Sequence, residues 1–154
     1  MSKIRDLIQK VGQMRGEDYP FPDDLEAYLD DFVPNKLLKS ETLQEAFSIT
    51  NSEMEEIYAE AYTHYDNGHF ADAANAFRFL VLLDSFQPRF WMGLGASLQM
   101  LKRSDKALKA YAVVTLLDSK NPAPHLYAST IYKEMGETKE AQIALASAKE
   151  LQPC

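Results

Sequence analysis

The chain has 154 residues, enough for one domain with a continuous buried core. Sixteen Lys and Arg stand against 23 Asp and Glu, and the net charge of −7 argues against nucleic acid or an anionic membrane surface as partner, since both require clustered cations. No stretch of about 18 apolar residues occurs, so direct membrane insertion is not expected.

The N-terminus, Met1-Ser2-Lys3-Ile4-Arg5-Asp6, lacks the apolar stretch of a secretory signal. Residues 4 to 14 set Ile4, Leu7, Ile8, Val11 and Met14 on one helical stripe, which Gly16 ends. Prolines keep the following segment, Glu17 to Asp24, out of helix. Asp23 or Asp24 is placed to cap a short helix carrying Leu25, Tyr28, Leu29 and Phe32, stopped by Pro34. Between Glu17 and Asp31 there are seven acidic residues and no basic one, which reads as a solvated face. A third amphipathic segment, Leu37 to Phe47, completes an arm over residues 1–50 and leads to Asn51 or Ser52 as the cap of the next helix.

From there the sequence repeats every 34 residues. Leu82-Leu83-Asp84-Ser85 returns as Leu116-Leu117-Asp118-Ser119, and small residues recur at Ala73, Ala107 and Ala141. A bulky group follows each of these four residues later, at Phe77, Tyr111 and Leu145. Trp91-x2-Leu94-Gly95-x2-Leu98 is the first half of the tetratricopeptide pattern, and Pro153 falls at its closing proline. With Met54, Pro88 and Pro122 as first positions, the repeats are 54–87, 88–121 and 122–154, each read as helix, short turn, helix. Gly68 and Gly136 mark two of the turns, and Lys102 takes the same place in the middle repeat, where a less ideal turn is expected. The predicted fold is all-α: three tandem helical hairpins in a right-handed superhelix behind an N-terminal helical arm. The single Cys, at position 154, excludes an internal disulfide framework and fits a reducing cytosol.

Positions 4, 7, 8 and 11 of each first helix are fixed by packing. They are Ile57, Glu60, Ala61 and His64, then Trp91, Leu94, Gly95 and Leu98, then His125, Ala128, Ser129 and Tyr132. One residue turns a helix by about 100°, so positions 2, 5, 9 and 12 form a separate stripe that lines the concave side of such an array. Repeat one places Glu55, Tyr58, Tyr62 and Tyr65 there, repeat two Arg89, Met92, Ala96 and Gln99, and repeat three Ala123, Leu126, Thr130 and Lys133. Rigid rings with a polar tip suit the gripping of a peptide at low entropic cost.

The run Phe77-Arg78-Phe79-Leu80-Val81-Leu82-Leu83-Asp84, followed by Arg89-Phe90-Trp91-Met92-Gly93-Leu94-Gly95-Ala96, resembles the class II chaperones of bacterial type III secretion systems. Ala107-Leu108-Lys109-Ala110-Tyr111, Asn121-Pro122-Ala123-Pro124 and Gly136-Glu137-x2-Glu140-Ala141 match as well, and the likeness covers residues 37 to 152. The resemblance implies a cytoplasmic bacterial holder of secreted hydrophobic translocator proteins, gripping a segment with spaced Pro, Val and Leu. Carried over by position, the cargo groove is Tyr58, Tyr62, Tyr65, Met92, Ala96, Gln99 and Leu126, with Phe77 and Tyr111 nearer its floor. It also implies a homodimer through the arm, for which Leu37, Leu38, Leu43 and Phe47 are candidates. The chain departs from the family in its long acidic N-terminal segment and in Tyr127-Ala128-Ser129-Thr130 of the third repeat. It also stops at Cys154, where the family continues with a helix, so the last hairpin is expected to need a covering partner or further chain.

The alternative is a repeat scaffold that joins folded partners in an assembly. A clamp for acidic C-termini is excluded, since it needs cations where this chain has Tyr58, Tyr62, Gly93, Ala123 and Tyr127. No cofactor is expected, because no Gly-x4-Gly-Lys-Ser/Thr loop is present. His64 and His69 are five apart and so off a common helical face, which leaves no metal site and no catalytic residue to propose.

Overall fold

In the computed structural model the described residues are 48–152, together with Thr42 and Gln44. They form six α-helices and no strand: α1 (Asn51–Asp66), α2 (Phe70–Leu83), α3 (Pro88–Met100), α4 (Ser104–Leu117), α5 (Ala123–Glu134) and α6 (Thr138–Leu151). Each helix packs on the next in chain order, and α1 also touches α3, so three hairpins stack as a short solenoid. The arm, including Leu37, Leu38, Leu43 and Phe47, lies outside the described residues, as do Pro153 and Cys154.

The cap of the first helix lies one residue earlier than expected. Thr50, not Asn51 or Ser52, is the N-cap: its hydroxyl accepts from the Glu53 N–H at 3.1 Å, and the Glu53 carboxylate accepts from the Thr50 N–H at 3.0 Å. This reciprocal pair satisfies two donors that the helix start leaves free, which a lone Asn or Ser would not do.

All three hairpin turns share one geometry. Gly68 and Gly136 have φ of 80° and 79°, and Lys102 adopts 62°. The N–H of the residue after each donates to the carbonyl five positions back, from His69 to His64, Arg103 to Leu98 and Glu137 to Tyr132, at 2.8 to 2.9 Å. The middle turn is therefore as regular as the others, against expectation. Packing of α3 on α4 forces Lys102 into a conformation that glycine adopts freely.

The core lies between α2, α3 and α4. Phe77, Leu80, Val81, Leu83, Phe90, Trp91, Leu94, Leu98, Tyr111, Val113 and Val114 are buried there. The recurrent Ala73, Ala107 and Ala141 are buried as the repeat requires, whereas Leu145 is only half-buried. Two polar anchors hold the link between the first two hairpins. The Asp84 carboxylate accepts from the Phe86 N–H at 3.0 Å and from the Gln87 amide at 3.1 Å, and the Trp91 indole donates to the Ser85 carbonyl at 2.8 Å.

Candidate functional site

The first helices of the three hairpins turn one face inward, and on α1 that face is aromatic. Tyr58 and Tyr62 meet edge to face at 5.0 Å between ring centres, and Tyr62 meets Tyr65 at 6.4 Å. Phe77, fully buried on α2, lies under both Tyr58 (6.1 Å) and Tyr62 (5.5 Å). Such edge-to-face contacts hold the rings in fixed orientations, so the face is preorganised. Tyr62 keeps 39% of its surface exposed, which is large for a ring braced on three sides.

Two hollows open along this face. One, of about 350 Å³, is lined by Tyr58, Tyr62, Pro88, Arg89 and Met92, with Val114, Asp118 and Asn121 from α4 and the loop after it. The other, of about 300 Å³, lies among Tyr62, Tyr65, Phe77, Met92, Ala96, Gln99, Tyr111 and Tyr127. Tyr62 and Met92 line both, so the two form one groove divided by a low ridge.

Close helix approach makes the second hollow. A Cβ on Gly93 would come within 2.2 Å of the Phe77 ring, and one on Gly95 within 2.7 Å of Tyr111. These glycines let two large rings of the second helices reach the groove floor between the first helices. The Tyr111 hydroxyl donates to the Gln99 side-chain carbonyl at 2.7 Å, which fixes that amide at the rim. Burial pushes the Tyr111 phenol well above its ordinary value, and burial with a hydrogen bond to Tyr62 does the same for Tyr58. Both stay neutral at physiological pH.

Charge is confined to one end. Arg89 donates to both carboxylate oxygens of Glu55, and its guanidinium lies 4.6 Å from the Tyr58 ring centre. The hydrogen bond from Arg89 holds the Glu55 carboxyl below its ordinary value. With both side chains largely exposed, the pair orders the groove mouth more than it stabilises the fold.

Of the nine residues expected in the groove, eight line it: Tyr58, Tyr62, Tyr65, Phe77, Met92, Ala96, Gln99 and Tyr111. Leu126 is half-buried and lines neither hollow; its neighbour Tyr127, exposed at 45%, faces the second one and meets Tyr111 at 5.6 Å. Position 6 of the repeat thus faces the groove, as Gly93 does in the repeat before. A large aromatic where the previous repeat demands glycine was the signal for it.

His64 and His69 need a correction too. Their spacing excludes a shared helical face, yet the structure brings their rings to 6.3 Å, because α1 ends at Asp66 and Gly68 folds the chain back.

Stacked helical hairpins with an apolar, aromatic groove open along their concave side define a helical-repeat protein with an extended concave surface. The tetratricopeptide repeat family model matches residues 58–122. Low calcium response locus protein H of Yersinia pestis is 33% identical over 103 residues, 67% of this chain and 61% of that protein. Among solved structures, a chain of the CopN–Scc3 complex is 40% identical, with a TM-score of 0.89 over 98% of this chain and 89% of that one. The Yersinia enterocolitica type III secretion chaperone SycD, bound to a peptide of the translocator YopD, is 33% identical. Its TM-score is 0.65, over 67% of this chain and 79% of SycD. The chain belongs to the tetratricopeptide-repeat chaperones of type III secretion systems.

Proposed function

We propose that this chain is a cytoplasmic chaperone that holds an apolar translocator of its own secretion system before export, gripping an extended segment in the concave groove. The observation that carries this reading is the pair of hollows meeting at a half-exposed Tyr62, on a face with one ion pair at its end. Two hollows separated by a ridge suit a chain with apolar side chains at alternate positions and polar backbone between them. A translocator must stay unfolded and unassociated until export, and a preorganised groove masks its apolar segment at little entropic cost to the holder. The reading is supported by the solved complex of SycD with a peptide of the translocator YopD. The function needs no catalysis, and none is proposed. Among the described residues no helix is long and apolar enough to cross a membrane.

Calorimetry with a peptide carrying spaced Pro, Val and Leu tests the site. Tyr58→Ala with Tyr62→Ala is expected to abolish binding while helicity by circular dichroism is retained. Tyr62→Ala alone, which removes a half-exposed ring, is expected to weaken binding by about tenfold, the scale of an aromatic contact near the centre of an interface. Unchanged affinity in both would place the cargo elsewhere.

A further inference from the structure

The first hairpin turn carries a group of side chains that the groove does not use. His64 is in the last turn of α1, His69 stands immediately before α2, and Asp72 lies in the first turn of α2. The left-handed Gly68 reverses the chain between them, and the His69 N–H donates to the His64 carbonyl at 2.9 Å, which fixes the two backbones relative to each other. One nitrogen of each imidazole and one Asp72 oxygen all lie within 4.8 Å of one another. Among the described residues none of the three side chains makes a hydrogen bond or an ion pair.

Two neutral imidazoles and a carboxylate are the donor set that borderline divalent ions prefer, zinc above all among the abundant ones. Ligand bonds of about 2.0–2.1 Å in a tetrahedron put donor atoms about 3.3 Å apart. Side-chain rotation would have to close the observed spacing to that, and His69 and Asp72 are exposed, with room to turn.

We propose that His64, His69 and Asp72 form a site for a divalent transition ion, with water completing its shell. The ion would join the end of α1 to the start of α2. Tyr65 follows His64, Phe70 follows His69, and their rings meet at 5.3 Å, so the same ion would fasten the groove wall that Tyr65 provides.

The test is calorimetric titration of the untagged full chain with zinc chloride at neutral pH, with a non-chelating phosphine as reductant. One saturable site per chain is expected. His64→Ala and His69→Ala should each weaken it by at least about tenfold, and Asp72→Asn by less, as loss of one of three protein ligands requires. His125→Ala should leave it unchanged. In parallel melts, zinc should raise the unfolding temperature of the wild type and leave that of His69→Ala unmoved. Circular dichroism of each variant without zinc confirms that the helices are intact. Zinc binding that survives in the His64→Ala, His69→Ala double variant, which keeps His125 and Cys154, would overturn the proposal. So would a wild type that shows no saturable binding.

Discussion

Gly93 sets how close α3 can come to α2. On helix propensity alone, Gly93→Ala would stabilise the chain by about 1 kcal/mol. The added methyl, however, would lie 2.2 Å from the fully buried Phe77 ring, so the ring or the helix must shift. Overpacking of this kind costs about 1–3 kcal/mol, and the clash should win. Gly93→Ala is therefore expected to lower the unfolding free energy, read from urea titration, by up to about 2 kcal/mol, and to weaken peptide binding because Phe77 lines the second hollow. A more stable variant would mean that the two helices slide apart freely. Tyr111 gives a prediction in pH. Its phenol is held above the ordinary 10.0 by burial, so the unfolded chain loses this proton first as the solution becomes alkaline. The contribution of Tyr111 to stability is intact below about pH 10 and declines as pH rises from there toward its folded-state value, by up to about 1.4 kcal/mol per pH unit. In urea titrations between about pH 8 and 11, Tyr111→Phe should show a shallower alkaline decline than the wild type, since other alkaline groups are common to both. Equal slopes would mean that the phenol titrates normally.

The hairpin turn is the element that shows how far local chemistry is overruled. Lys102 takes the left-handed conformation at φ 62°, which costs a residue with a Cβ about 1–2 kcal/mol. Glycine avoids that cost but loses more entropy on folding, so Lys102→Gly is expected to gain about 0.5–1 kcal/mol in thermal or urea unfolding. The ion pair it would lose, Lys102 with Glu134 at 3.9 Å, joins two exposed side chains and changes the balance little. A loss of stability would show that Lys102 contributes through its stem, which no contact in the structure suggests. The same element marks what the sequence could disclose. A 34-residue period places all six helices and the tyrosine stripe, because helical rotation fixes which positions share a face. It does not disclose what lies over a position. Leu82 and Leu116 are repeat equivalents, yet one is 6% exposed and the other 64%. Tyr127 is weighed as a clamp position and left off the expected groove, because it lies outside the stripe of positions 2, 5, 9 and 12; its contact with the Tyr111 ring is a feature of packing. The histidine pair straddles a helix end, where face arguments stop applying.

At the scale of the whole molecule, stability should be graded along the stack. In a solenoid each hairpin is held by its own core and by its neighbours, so the hairpin with the thinnest core opens first. The side chains buried on α2, α3 and α4 include Phe77, Leu80, Phe90, Trp91, Leu94 and Tyr111. On α6 they are Ala141, Ala144 and Ala148, with Ile143 left 58% exposed, and α6 packs chiefly on α5. At about 25 cal/mol per Å² of apolar surface, a row of alanine methyls supplies only a small part of what those rings do. Amide exchange followed by mass spectrometry should therefore find α6 exchanging well before α3, through local opening and not global unfolding. Peptide bound in the proposed groove would contact α1, α3 and the Tyr127 side of α5, so it should slow exchange there and reach α6 only through α5. If α6 proved as protected as α3 in the free chain, the stack would have to unfold as one unit. The groove wall formed by Tyr127 would then be as rigid as the one formed by Tyr62. If α6 opens first, the third hairpin is the compliant side of the groove, and cargo release can begin there while the tyrosine wall on α1 stays in place.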